Sequence, residues 1–252
     1  MIAKLRDFIQ KLTALMKRLG RQWRRGGRAR SPKKLEAFRI LKKRGVAVGA
    51  VIDVGVLQGT PELIDNFRDV HHFLFEPVDE CARPIRRAYE GLNFTLIQKA
   101  VGCSDGEASL RILGEAGSMN SSAHLDGVAT QTPARQIDVV SLDSFAEHLG
   151  SVENCLLKID TDGHELSVLR GASVFLNSCS IVVVEVTQVN MADVVYFMSE
   201  HCFNIFDIVE PCYFDESLWQ VDIIFLRNSI HDNIFDSISD NNFDKSKYEI
   251  YR

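Results

Sequence analysis

From residue 48 onward, short apolar runs rich in β-branched residues alternate with segments of helical periodicity, and this alternation constrains the fold more than any other feature. Val48–Val54, Phe73–Glu76, Phe94–Val101, Cys155–Ile159 and Ile181–Val186 read as buried strands. Between or beside them Pro61–Phe67, Asp79–Tyr89, Leu142–Leu149, Glu165–Leu176 and Ala192–His201 read as helices. Ala108–Ile112 is predicted as an extra strand, and the Gly- and Ser-rich stretch Gly114–Pro133 as a long loop. Strands separated by helices pair in parallel through right-handed crossovers. Asn204–Val209 and Val221–Leu226 have no strong helix between them, so they are predicted as antiparallel neighbours. The expected fold is α/β: a mostly parallel seven-stranded sheet, helices on both faces and an antiparallel final strand.

The charge is divided unevenly along the 252 residues. Residues 1–44 hold 16 of the 29 Lys and Arg residues and two acids, Asp7 and Glu36, so the rest carries 32 of the 34 Asp and Glu residues. In the basic part, Ile2, Leu5, Ile9, Leu12, Leu15, Met16, Leu19 and Trp23 recur at helical spacing. The division expected is a basic amphipathic helix and linker over 1–32, a folded domain over 33–228 and a polar tail over 229–252. A basic amphipathic arm of this kind suits an anionic membrane surface, here through residues 1–30, or an acidic face of a partner such as a second copy in a homodimer. Nucleic acid is not expected as a partner, because the body is acidic and shows no basic groove interleaved with aromatics. No run reaches the roughly 18 apolar residues of a membrane span. The six cysteines form no C-x-x-C pair, which suits a reducing, cytoplasmic setting, at most on the inner face of a membrane.

Ligands of parallel sheets bind beyond the carboxyl ends of the strands, and three such ends carry chemistry. The first is Asp53-Val54-Gly55-Val56-Leu57-Gln58-Gly59. Gly55 and Gly59 permit an unusual turn and close approach to the backbone, and Asp53 can accept bonds from an ammonium group. The second is Glu76, 23 residues after Asp53. An acid at that separation grips both hydroxyls of a ribose. Position 57 is Leu, so the G-x-G-x-x-G dinucleotide fingerprint is incomplete. The third is Lys158-Ile159-Asp160-Thr161-Asp162-Gly163-His164-Glu165. Period-two alternation aims Lys158, Asp160 and Asp162 to one side, where charged groups demand partners or a ligand. Asp162 and Glu165 also have the spacing of a capping box.

These stretches resemble the FkbM-type methyltransferase family. The matching segments are VIDVGVLQGTPEL (51–63), FLFEPV (73–78), QKAVGCSDGEASL (98–110), VVSLDSF (139–145), LLKIDTDGHELSVLRGA (156–172) and IVVVEV (181–186), in the family's order across roughly 48–227. The resemblance implies a Rossmann-like class I methyltransferase fold, S-adenosylmethionine as cofactor, and O-methylation of a hydroxyl on a sugar, glycolipid or secondary metabolite. It implies cofactor contacts for Asp53, Gly55, Gly59 and Glu76, with Ala100 and the Gly102–Asp105 turn near the adenine. It places Lys158, Asp160 and Asp162 on the acceptor side. Asp162 stands where the family more commonly has Glu, and His164 where Phe is common.

Transfer to a hydroxyl requires the acceptor oxygen to be held about 3–3.5 Å from the methyl carbon and its proton to be removed. Lys158, Asp160, Asp162 and His164 are the candidate catalytic residues, with His164 offering an unperturbed pKa near 6.5. No dedicated metal site is predicted, although acidic strand ends leave Mg²⁺ as a second way to acidify the hydroxyl. Two other readings remain. Asp160-Thr161-Asp162 is formally a D-x-D triplet, as in glycosyltransferases that use a nucleotide sugar, but that reading gives the Asp53–Gly59 turn and Glu76 no purpose. A non-catalytic scaffold that binds the cofactor is the other.

Overall fold

A computed structural model of the chain describes residues 28–30, 32–117, 122–125, 133–150, 152–236, 244–247 and 249–251. The amphipathic helix predicted over 2–23 lies outside the described residues, as do Ser118 to Ser121 of the Gly/Ser loop. The chain divides into two compact units. One comprises Met1–Ser31 with Asp236–Arg252, and within it β1 (Arg28–Arg30) pairs in parallel with a strand at Glu249–Tyr251. The other, Pro32–Phe235, carries the α/β fold.

That larger unit begins with α1 (Lys34–Lys43), followed by β2 (Ala50–Val54), α2 (Pro61–Asn66), β3 (His71–Phe75), α3 (Ala82–Ala88) and β4 (Phe94–Ile97). Next come β5 (Ala100–Val101), β6 (Gly106–Leu113), β7 (Ser122–Leu125), β8 (Arg135–Val140) and α4 (Leu142–Leu149). The second half runs β9 (Cys155–Ile159), α5 (Glu165–Arg170), β10 (Cys179–Thr187), α6 (Met191–Glu200), β11 (Phe203–Phe214), β12 (Ser217–Arg227) and α7 (Asn228–Ile234). Seven strands form the main sheet in the order β11-β12-β10-β9-β2-β3-β4. All neighbours are parallel except β12, which is antiparallel to both β10 and β11. This is the mostly parallel, seven-stranded class I arrangement, its one reversed strand entering through the hairpin from β11. Asp215 and Glu216 at the hairpin's tip both have positive φ, the backbone that a tight two-residue turn demands.

The central strands explain the continuous apolar runs. Every residue of β2 and β9 is buried, because helices cover both faces of the sheet. One face packs Ile52, Leu157, Val182 and Val184 beneath Val168, Leu169 and Met198. The other packs Val51, Leu156, Val183 and Ile224 beneath Ala37, Phe38 and Leu41 of α1. Ile230, Ile234 and Phe235 of α7 and its end also pack on this second cluster.

Two expectations are corrected. Phe94–Val101 is two strands, because a tight turn closed by Lys99 N–H to Ile97 O (2.9 Å) redirects the chain. β4 then completes the main sheet, while β5 opens a four-stranded sheet ordered β5-β8-β6-β7. The strands β7 and β8 were not legible. In β8 most side chains are exposed or half-buried, so it lacks the apolar alternation that marks a strand. The polar Gly114–Pro133 stretch therefore contains β7 instead of being loop throughout.

Candidate active site

The sheet has one topological switch point. From β2 the chain winds outward to β3 and β4; from β9 it winds the other way to β10. The carboxyl ends of β2 and β9 are the place where such a sheet opens a crevice, and a cavity lies there between Gly55, Glu76 and Asp160–Asp162.

Gly55 is fixed by this junction. Its φ is +82°, and a Cβ built on it would stand 1.7 Å from the carbonyl oxygen of Asp160. Asp160 N–H in turn donates to Val54 O at 3.0 Å, so the two strand ends cross in backbone contact. Leu57 also has positive φ, +53°, and its N–H donates to Glu76 Oε2 at 2.8 Å. Val78 N–H donates to Glu76 Oε1 at 3.0 Å. Glu76 thus ties the β2 turn to its own. Burial raises its pKa against the pull of these N–H donors. The Val56 N–H also acts on this carboxylate, which has about four acceptor sites in all. Gly59, with φ +119°, faces elsewhere: a Cβ there would meet Ala88 Cβ at 2.8 Å, so this glycine lets α3 approach.

One end of the cavity is apolar, formed by Val78, Cys81, Ala100, Val101, Leu110 and Ile112. Burial pushes the Cys81 thiol up to about 12, which leaves it inert as a nucleophile. Asp105 is not in the lining. It is exposed, and its Oδ1 accepts from Ser141 N at 2.7 Å, anchoring the turn after β5 to the start of α4.

At the other end lies a network of charged groups. Lys158 is almost fully buried, with Nζ 3.0 Å from Asp160 Oδ2 and 3.6 Å from Asp53 Oδ1. Burial alone would lower the Lys158 pKa, but the two carboxylates outweigh it and hold the ammonium charged. Burial would raise Asp160, and the Lys158 charge beside it wins and keeps it below its ordinary value. Asp53 is fully buried and outside the cavity lining. Its Oδ2 accepts from Thr60 Oγ1 (2.6 Å) and Tyr89 OH (3.3 Å), while Oδ1 has no hydrogen-bond donor. At 3.6 Å Lys158 offsets only part of the burial cost, and the Asp53 pKa is raised.

Residues that the sequence reading missed complete the network. Lys34, at the start of α1, places Nζ 3.0 Å from Asp222 Oδ2 and 3.2 Å from Glu62 Oε1. Asp222 faces Glu185 across the β10–β12 register, and Gln220 Nε2 donates to Glu185 Oε1 at 2.7 Å. An acid interrupting the apolar run Val221–Leu226 was a visible signal; Lys34, among many basic residues, carried none.

Asp162 lines the cavity with an exposed side chain and φ +49°. His164 is half-buried, occupies the N-cap position of α5 and is not among the lining residues. The capping-box reading of Asp162 and Glu165 is therefore corrected. Glu165 folds back on the preceding turn, its Oε1 accepting from Gly163 N (2.9 Å), Thr161 Oγ1 (3.2 Å) and Thr161 N (3.3 Å). Its Oε2 accepts from Asn190 Nδ2 at 2.8 Å. Among the described residues no group of three or more His, Cys, Asp or Glu side chains is arranged to hold a metal ion.

The cavity therefore offers an apolar slot, a buried carboxylate and an acidic end. A nucleoside bearing a charged amino-acid tail matches that donor set. The family model described as "Methyltransferase FkbM domain" matches residues 48–210. Among solved structures the chain is similar to an rRNA methylase from Streptococcus thermophilus, at 8% identity and TM-score 0.46, covering 79% of this chain and 99% of that one. It is similar to magnesium protoporphyrin IX methyltransferase from Synechocystis, at 8% identity and TM-score 0.44, covering 76% of each. It is also similar to precorrin-6y C5,15-methyltransferase from Geobacter metallireducens, at 13% identity and TM-score 0.40, covering 78% and 91%. A search among curated proteins found no match.

Proposed function

The chain belongs to the FkbM methyltransferase family and is an S-adenosylmethionine-dependent methyltransferase, and on that premise we propose that it methylates a hydroxyl of a sugar, glycolipid or secondary metabolite. The observation that carries this reading is the two-ended cavity at the switch point, apolar toward β5 and β6 and acidic toward β9.

S-adenosylmethionine supplies an electrophilic methyl group. The residues around it have separable tasks. Glu76 accepts the ribose hydroxyls with the acceptor capacity that the turn N–H groups leave free. Ala100 and its apolar neighbours take the adenine. Gly55, whose missing Cβ lets the Asp160 backbone approach, forms the turn that lines the methionine end. Asp53 and Gly59 hold that turn from behind, the first through Thr60 and Lys158 and the second by admitting α3. Asp105 steadies the far wall through Ser141. On the acceptor side Asp160, kept ionised by Lys158, accepts a hydrogen bond from the hydroxyl, orients it and takes its proton. Asp162 borders the acceptor entrance and His164 sits one turn behind it at the helix start.

No described helix is long and apolar enough to cross a membrane. The basic residues 1–30 give the arm the charge to meet an anionic bilayer, where a glycolipid acceptor would lie, and we place the enzyme on the cytoplasmic side in that reading. The experiment is direct: incubate the full chain with methyl-labelled S-adenosylmethionine and fractionated glycans and lipids. Label that enters a fraction and resists base hydrolysis as an ether supports O-methylation. Label found as a base-labile ester or on nitrogen would replace this reading.

A further inference from the structure

Asp160 and Glu185 meet on the acceptor side. The parallel register ends with Val184 opposite Ile159, and Glu185 and Asp160 are the residues that directly follow this last pair. Each carboxyl group acts on the other's ionisation, Asp160 raising Glu185. Two neighbouring carboxylates in a buried setting resist ionising together, which favours one proton held between them. Both groups are also held from outside, Asp160 by Lys158 Nζ at 3.0 Å and Glu185 by Gln220 Nε2 at 2.7 Å.

We propose that Asp160 and Glu185 act as one proton-sharing pair, in which Asp160 meets the acceptor hydroxyl and Glu185 stores the proton it releases. The proposal rests on the hydroxyl reading given above.

The surroundings decide which member keeps the proton. Facing the pair are Lys158 on β9, Asp53 on β2, Asp222 on β12, Lys34 on α1 and Glu62 on α2. Five carboxylates (Asp53, Glu62, Asp160, Glu185, Asp222) thus share two ammonium groups. Lys158 sits against Asp160 and Lys34 against Asp222. Among the described residues Glu185 has no lysine or arginine within ion-pair distance, which leaves it the least supported as an anion. Burial, then the neighbouring Asp160 and Asp222 charges, push its carboxyl up to about 8.

The proton balance follows. As the acceptor oxygen bonds to the methyl carbon, the carbon–sulfur bond breaks and the sulfur keeps the electron pair. The hydroxyl proton passes to Asp160 and on to Glu185, which later returns it to solvent. The receptive form is the fully ionised pair, so turnover rises with pH through about 8.

The test needs no acceptor. Carboxyl ¹³C NMR of the full chain labelled at glutamate identifies Glu185 by the resonance lost in Glu185→Gln. The pair predicts titration near pH 8. It predicts a fall of more than about 1 pH unit in Asp160→Asn, where the partner charge is gone. Gln220→Leu removes a donor to the ionised form and should move the titration upward. If Asp160→Asn does not fold, Gln220→Leu carries the same test. A Glu185 resonance that titrates among ordinary glutamates, or that ignores both substitutions, overturns the pair. Calorimetry with S-adenosylhomocysteine separates the two claims. Binding with an ordinary Glu185 defeats the pair alone, whereas no binding defeats the functional reading while the titration still judges the pair. Once an acceptor is in hand, Glu185→Gln should also flatten the alkaline rise in kcat/KM.

Discussion

The two sides of the switch point are built differently. At the cavity wall on the β2–β3 side, Glu76 takes N–H bonds from Leu57 and Val78 and the neighbouring wall is mostly apolar, while Asp53 lies behind it. On the β9–β10–β12 side, side chains satisfy side chains through a chain of charges from Lys158 to Lys34. The first arrangement rests on backbone donors and apolar walls, as suits a constant ligand. The second is a network of buried charges, in the half where we propose that a proton moves. Burying ions is costly unless each has a partner, so the acceptor half should fail more sharply when one member is removed.

The largest effect expected is Lys158→Met. It strands Asp53 and Asp160 without their cation, and removing one partner of a buried pair costs about 3–5 kcal/mol. Chemical denaturation would register this as a lower midpoint with an unchanged slope. A loss under about 1 kcal/mol would mean that the charges are not coupled as described.

Next comes Glu76→Gln on the opposite side. It keeps the shape but replaces an acceptor with a donor at one position, costing about 1.5–3 kcal/mol of cofactor-product affinity, the range for hydrogen bonds to a charged group. Calorimetry with S-adenosylhomocysteine reads it directly. Unchanged affinity would remove Glu76 from the ribose role.

A smaller, pH-dependent effect separates the halves again. Glu185 keeps its proton up to about pH 8 in the folded chain, whereas the unfolded chain releases it near 4.3. Between those values the native state binds the extra proton, so stability falls as pH rises. Melting curves across pH 5–9 should fall less steeply for Glu185→Gln than for the wild type. Parallel curves would contradict the raised pKa. Smallest of all is Ser141→Ala, which removes the Oγ acceptor for Ser144 N at the start of α4. About 1 kcal/mol of stability should be lost, with S-adenosylhomocysteine affinity unaltered.

The same contrast explains what could be read from the sequence. The cofactor half was legible because its determinants are local: a glycine at a strand end, an acid at the next one, and apolar runs that can only be buried strands. Gly55 and Glu76 both line the cavity at the strand ends. Asp53 was readable as important, though not as a fully buried partner of Thr60, Tyr89 and Lys158, since that depends on register with β9. The acceptor half is assembled from residues far apart in sequence. Lys34, Glu62, Gln220 and Asp222 meet Lys158 and Glu185 only after the sheet has closed, and no spacing rule connects them. The extra sheet was half hidden for another reason. β8 has few buried positions, so its sequence carries no pleat signal.

The central claim is that one cavity has two separable halves. Its most direct test is S-adenosylhomocysteine calorimetry on three full-length proteins: wild type, Glu76→Gln and Glu185→Gln. The account predicts affinity reduced about 10- to 100-fold in Glu76→Gln and within about threefold of wild type in Glu185→Gln, which lies outside the cofactor contacts. Equal losses in both variants, or a loss only in Glu185→Gln, would contradict it.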